Sequence, residues 1–330
     1  FKPYNSTMNK RFSLIAICCI VFSNSAYAYK YGLGSCLDQD LDQPIWAAIE
    51  KQNINGFIFL GDNVYGDQQS GELGKLIKAY KKQKTKIPSW LTKDKKILAI
   101  WDDHDYGKND GGGNYKNKEE AQTLFLNFWK IPKQDPRRAR KGIYFEDTQI
   151  IEGKSVQIIG LDTRYFRSEL KGRKNGYLPN NDPLASVLGT EQWKWLDETL
   201  ENSKADIVII LSSIQILATN HPYEKWSNFT ADRKKLLMKL DDVLKTKTVV
   251  LISGDRHRAG LYQKGSLVEI TASALNKGSS RPTETDPLLI GKTYPEINFG
   301  ILDIQPSKNI ITLSIKDKDG MDLESKVINL

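Results

Sequence analysis

Three short runs of acidic and histidine residues each fall where a hydrophobic run gives way to polar chain. They are Gly61-Asp62-Asn63-Val64-Tyr65 after residues 57–60, Trp101-Asp102-Asp103-His104-Asp105 after residues 97–100, and Gly254-Asp255-Arg256-His257 after residues 249–252. Carboxylates and imidazoles bind metal ions, and they are also the groups that move protons near neutral pH. One such run alone reads equally well as an Asp capping a turn beside a solvated His. Capping gives no reason for His to recur, so three runs together point to a polynuclear metal site. A fourth place of the same kind is Gly34-Ser35-Cys36-Leu37-Asp38, after residues 29–33. Cys36 reads as a small buried hydrophobe or as a ligand or nucleophile, and its position at the end of an extended run favours a ligand.

The elements that must hold these residues are legible as alternating patterns. Short β-branched runs predict strands at 29–34, 56–61, 96–101, 156–161, 206–212, 247–253, 267–272, 299–304 and 309–315. Amphipathic patterns predict helices at 43–53, 72–85, 117–130, 190–202 and 230–245, the fourth with Trp193, Leu196 and Leu200 at helical spacing. Alternation of strand and helix up to about residue 255 predicts an α/β layered architecture, while the last three strands, with no helix between them, are expected to be antiparallel. In an open α/β sheet the strand ends share a crevice where ligands bind, which is where the four runs would meet. The Gly/Asn/Asp-rich stretch 107–114 would form a wall of that crevice, and the polar stretches 168–189 and 275–297 would shape access to it.

The chain has 330 residues, 39% of them hydrophobic, enough for a substantial core. Met8-Asn9-Lys10-Arg11, an apolar run over 12–22 and Ala26-Tyr27-Ala28 form the three parts of a secretory signal, so residues 1–28 are read as a signal peptide with an upstream extension over 1–7. The run is shorter than the roughly 20 residues a membrane span needs, and no transmembrane anchor is expected elsewhere. Residues 29–330 are read as a single domain, exported to the periplasm or medium. Cys18 and Cys19 would leave with the signal, which leaves Cys36 alone and excludes a disulfide framework. The net charge is +8, and loss of Lys2, Lys10 and Arg11 lowers it by three; a mildly basic surface suits an anionic substrate without requiring one. Lysine runs such as 81–84 and 93–96 carry no interleaved aromatic residues to stack bases, so no nucleic-acid-binding module is expected.

Ser35-Cys36, Gly61-Asp62-Asn63-Val64-Tyr65, Trp101-Asp102-Asp103-His104-Asp105-Tyr106-Gly107 and Gly254-Asp255-Arg256-His257 together resemble the alkaline phosphatase D, or PhoD-like, branch of the calcineurin-like metallophosphatases. Asp135-Pro136-Arg137-Arg138, Gly142-Ile143-Tyr144, Leu161-Asp162-Thr163-Arg164-Tyr165 and Trp226 ahead of Ala231-Asp232-Arg233 extend the likeness over roughly residues 31 to 275. The resemblance implies a four-layer αββα metallophosphatase sandwich, a phosphoester substrate and two or more divalent or trivalent metal ions. Hydrolysis of a phosphoester needs charge neutralisation on the phosphoryl oxygens, a nucleophile and a proton for the leaving group. Two metal ions about 3.5–4 Å apart meet the first two needs.

By that resemblance Asp62 is expected to bridge the ions, Asp103 to serve the second of them, and Asp255 and His257 to replace the superfamily's His-x-His pair on one side of an extended strand. His104 is expected to act as general acid or as a donor to a phosphoryl oxygen, oriented by Asp105. Asn109 matches an asparagine of the family's Asp-His loop, reaching metal or substrate or serving only as a turn residue. Arg164 and Arg256 are candidate phosphate forks, or charge balance for the acidic residues. The superfamily's opening Asp-x-His is absent, and Cys36 stands at that strand end; the resemblance implies a Cys36 thiolate and a Tyr65 phenolate, a pair that suits Fe(III) beside a hard Ca²⁺-type ion. The superfamily's mid-chain His has no clear match, and His221 is as well read as a loop or substrate contact as a ligand. Lys10-Arg11 in place of Arg-Arg points to Sec-type export. A secreted binding protein with purely structural ions is the alternative, but it leaves His104 unexplained; a glycoside hydrolase would leave Cys36 and Tyr65 without a role.

Overall fold

The computed structural model describes residues 1–3 and 28–330. The basic start and apolar run read as an export signal lie outside the described residues. In chain order the first half comprises β1 (Tyr29–Gly34), α1 (Ile45–Glu50), β2 (Gly56–Leu60), α2 (Gly74–Gln83), α3 (Ser89–Asp94), β3 (Lys96–Ile100), α4 (Asp103–Tyr106), α5 (Lys118–Phe128), β4 (Phe145–Ile151) and β5 (Lys154–Gly160). A small hairpin, β6 (Lys171–Arg173) and β7 (Gly176–Leu178), precedes α6 (Gly189–Glu201), β8 (Ile207–Ser212), α7 (Thr230–Val243) and β9 (Thr248–Ser253). The chain closes with β10 (Ala259–Lys264), β11 (Leu267–Thr271), β12 (Leu289–Tyr294), β13 (Asn298–Gln305), β14 (Ile310–Asp317) and β15 (Asp322–Asn329).

Two mixed sheets carry the fold. One has the order β15-β14-β13-β1-β2-β3 and the other β12-β10-β11-β9-β8-β5-β4. Strands β8 and β9 show why the sheets stack: their side chains alternate between two apolar surfaces. Ile207, Ile209, Leu211, Val250 and Ile252 join Leu33, Ile58 and Leu60 of the first sheet in one continuous core. Val208, Ile210, Val249 and Leu251 face the other way and pack on Trp193, Leu196, Leu236 and Leu240 of α6 and α7. Parallel strands buried on both faces read as unbroken hydrophobic runs, which is the pattern seen here. Ile45, Ile49, Leu76, Tyr80 and Phe125 place α1, α2 and α5 against the first sheet. The layers therefore run helices, sheet, sheet, helices, an αββα sandwich.

One expectation needs correction. Strands β13 and β14 are antiparallel, but β11 lies in the other sheet and runs parallel to β9. The cause is β10, absent from the sequence reading, which pairs antiparallel with β11 and sits outside it. Strands β4 and β15 also escaped the reading, and both are sheet edges whose alternate residues are exposed. An edge strand needs no continuous apolar run, so its sequence carries little hydrophobic signal.

Candidate metal centre and active site

The C-terminal ends of β1, β2, β3, β8 and β9 converge where the two sheets meet. Gly254 marks a close approach: a Cβ there would lie 2.7 Å from Ser35 Oγ and 2.8 Å from Leu60 O. Only glycine lets the end of β9 sit against the ends of β1 and β2. Gly61, with φ of +97°, plays the same part between β2 and β3. Just past these strands Cys36, Asp62, Asp255 and His257 all hold left-handed backbone, with φ of 56°, 51°, 69° and 52°. Non-glycine residues seldom adopt that conformation, and where they do the strain concentrates at functional sites.

Those turns bring the side chains together. Cys36 Sγ lies 3.5 Å from Asp62 Oδ2 and 3.1 Å from Ser273 Oγ. Tyr65 OH is 3.4 Å from the same Asp62 oxygen and 3.3 Å from His257 Nε2. His257 Nδ1 meets Lys277 O at 2.7 Å, so this nitrogen donates to the carbonyl and Nε2 is left facing Cys36 and Tyr65. Three groups have donor atoms close enough to share a cation: Cys36, Asp62 and His257; Asp62, Asp103 and His104; and Asp62, Asp102, Asp103 and Asp255. Asp62 belongs to all three. Asp255 and His257 thus serve different groups, and they reach them through consecutive turns beyond β9 rather than from one side of an extended strand.

Electrostatics make the cluster a cation site. Asp62, Asp102 and Asp255 are held well above the usual carboxylate range by burial and then by nearby negative charge, that of Cys36 and Asp103 at Asp62 and that of Asp103 at the other two, although Arg164 and Arg256 oppose the rise at Asp102 and Asp255. Asp103 goes the other way despite its burial, drawn down by His104, Arg164 and the amide of Asp110. Burial also works against the Cys36 thiolate, but His257, Ser273 and Tyr65 outweigh it and bring the thiol down to about 5. Asp102 Oδ2 and Asp103 Oδ1 are buried and, among the described residues, have no hydrogen-bond partner. Orphaned carboxylate oxygens in a field of like charge are costly unless a cation satisfies them, so the donors present fit the metal ions that the family likeness implies.

The structure revises two roles expected from sequence. Asp105 does not touch the His104 ring. Its carboxylate accepts from the amides of Asp102 and Asn63 and from the Asn63 side chain, closing a capping box at α4. His104 Nδ1 instead pairs with Asp67 at 2.6 Å. Burial lowers the affinity of His104 for its proton, while Asp103 and Asp67 raise it, with a net rise. Arg164 is fully buried and absent from the cavity wall. It is clamped to Asp102 at 2.5 Å and to Glu224 at 2.6 Å, so it balances charge beneath the site rather than forking a phosphate.

A cavity of about 370 Å³ opens in front of the cluster, lined by Asp103, His104, Asp255 and His257 and by the candidate contacts Asn109 and Arg256. Asn109 Oδ1 accepts from Lys174, and Arg256 is paired with Glu284 at 2.7 Å. His221 is outside all three cation groups; buried between Arg256, Lys225 and Arg258, it is held well below the usual imidazole range. Sequence reasoning missed Asp67, Asp102, Ser273 and Lys277. Asp102 stood inside a quoted motif, and Asp67 follows Tyr65 by two residues, but Ser273 and Lys277 sit near or in a stretch with no pattern of its own.

The profile of the PhoD-like phosphatase family matches residues 89–299. The chain belongs to the PhoD-like phosphatases. It is accordingly a metal-dependent phosphoric ester hydrolase. The match begins after Cys36, Asp62 and Tyr65, so these three are brought to the site by the fold and not by the matched segment. Among solved structures, PhoD superposes with a TM-score of 0.67 at 16% identity, covering 91% of this chain and 72% of that one. GAP50, the anchor in the inner membrane complex of Plasmodium, gives 0.58 at 12% identity over 92% of this chain and 89% of its own. A purple acid phosphatase from yellow lupin gives 0.58 at 11% over 92% and 54%. At such identities these likenesses speak for the fold. No curated protein matches the chain significantly.

Proposed function

We propose that this PhoD-like phosphatase is an exported enzyme that hydrolyses phosphomonoesters or phosphodiesters at a dinuclear centre bridged by Asp62. The observation that carries the reading is that Asp62 is common to every cation group in the site. Cys36, Tyr65 and His257 would complete one half with Asp62; Asp103 and Asp255 would complete the other. The first half offers thiolate, phenolate and imidazole, which favours Fe(III), and the second offers carboxylates, which favours Ca²⁺. Metal ions held there supply Lewis acidity to the phosphoryl oxygens and make an attacking water more acidic.

The remaining work falls to the chain. His104, fixed through Nδ1 by Asp67, presents Nε2 to deliver a proton to the leaving oxygen. Arg256 and Asn109 line the cavity as contacts for the substrate. Asp105 and Arg164 hold Asp102 and the start of α4 in place without meeting substrate. Export is supported by the signal pattern at residues 8–28, and no described helix is long and apolar enough to cross a membrane. Residues 29–330 would act as one catalytic unit. Elemental analysis of the purified protein, together with rates on mono- and bis-substituted aryl phosphates, tests the reading. Stoichiometric metal with turnover of either ester supports it, and metal without turnover favours ions that are only structural.

A further inference from the structure

The cavity before the acidic cluster has room for more than a phosphoryl group, since its volume of about 370 Å³ falls within the range of pockets that enclose whole small molecules. Its wall carries Asp103, Asp110, Glu224, Asp255 and Glu284, which repel any anion not met by a cation, and it carries Lys174, Arg256, Arg258 and Arg281. Two of these cations are already balanced. Arg256 pairs with Glu284 at 2.7 Å, and Arg258 lies 3.7 Å from the same carboxylate. Lys174 and Arg281 form no ion pair among the described residues, yet both are held in place by neutral partners. The Lys174 ammonium donates to Asn109 Oδ1 at 2.8 Å, and its hairpin is docked by Tyr177, whose OH donates to Asp110 at 2.8 Å and whose amide donates to Pro222 O at 3.0 Å. The Arg281 guanidinium lies 4.9 Å over the Tyr223 ring, and its amide donates to Ser279 Oγ at 3.1 Å.

Neutral anchoring fixes a charge without cancelling it. We infer that Lys174 and Arg281 supply a second anion subsite, so that the preferred substrate is a phosphoester carrying another phosphate or carboxylate near the reacting group. The inference rests on the phosphoesterase reading and narrows its substrate class. It also gives the hairpin β6–β7 a purpose, because that hairpin brings Lys174 to the cavity wall.

The test uses the metal-loaded full chain, with 4-nitrophenyl phosphate as a control for the chemistry and three 4-nitrophenyl diesters whose second ester group is ethyl, choline or 2-carboxyethyl. The expected order of kcat/KM is carboxyethyl above ethyl above choline. Lys174→Ala and Arg281→Ala should each reduce the carboxyethyl-to-ethyl ratio roughly two- to five-fold, mainly through KM, as expected for an exposed charge pair. Arg281→Lys should keep the ratio, and added salt should narrow it. Turnover of the control with no charge preference among the diesters, or variants that slow all three alike, would overturn the inference. No turnover of any of the four would remove the phosphoesterase reading and the inference with it.

Discussion

Gly61→Ala perturbs the site through the backbone rather than through a ligand. The added Cβ would lie 2.5 Å from Asp102 Cβ and 2.8 Å from Asp102 N, and the backbone there holds φ of +97°. Left-handed geometry costs a residue with a Cβ about 1–2 kcal/mol. Overpacking against a buried neighbour adds about 1–3 kcal/mol. Gly153, in the turn between β4 and β5, separates the two effects: its φ is +83°, but nothing lies within 4 Å of where a Cβ would stand. Gly153→Ala should therefore lose about 1–2 kcal/mol and keep full activity, while Gly61→Ala should lose about 2–5 kcal/mol. Gly61→Ala should also lose metal, because Asp102 must move away from Asp103 and Asp62. Urea unfolding of the metal-free proteins reads the stability difference, and elemental analysis after reloading reads the site. Equal losses in the two variants, or a Gly61→Ala protein with native metal content, would refute the view that this glycine sets the spacing between the ends of β2 and β3.

Other expectations follow from single groups. With its pKa lowered from 9.0 to about 5 in the fold, Cys36 contributes stability that is complete above the unfolded value and is lost as the pH falls through about 5; ultraviolet thiolate absorbance of the metal-free protein, less that of Cys36→Ser, should titrate there, and a midpoint at or above 9 would restore the buried-cysteine reading. Because Asp67 raises the proton affinity of His104, Asp67→Asn should move the alkaline limb of kcat/KM to lower pH, more visibly for alkyl than for nitrophenyl esters; an unmoved limb would remove Asp67 from the proton-transfer path. Arg164→Met strands Asp102 as a buried charge and leaves Glu224 with Arg167 alone, so a stability loss of about 3–5 kcal/mol is expected in urea unfolding, whereas native stability with a raised KM would return Arg164 to the role of phosphate fork.

Much of the architecture was legible because the central strands are buried on both faces. Residues 207–211 and 249–252 are apolar throughout, and they form the buried centres of β8 and β9. The edges β4 and β15 were not legible, since half of each faces water. Within the site, runs of unlike ligand types at strand ends were visible as motifs, and the fold does bring Cys36, Asp62, Tyr65, Asp103, Asp255 and His257 together. What spacing alone did not reveal was direction. Asp105 follows His104 in sequence, but α4 turns its carboxylate back to cap its own helix, and the carboxylate that meets the imidazole comes from Asp67 on another loop. Arg164 likewise shows only in three dimensions that it lies under Asp102, closed off from the cavity.

The central claim is that one carboxylate, Asp62, holds two cations together for phosphoester hydrolysis. Asp62→Asn keeps the shape and removes the charge, so metal content and turnover of aryl phosphate measured on the same preparation address it directly. Loss of most of the bound metal together with loss of turnover is the result predicted. A variant that keeps its full complement of metal and hydrolyses the ester at the wild-type rate would contradict it.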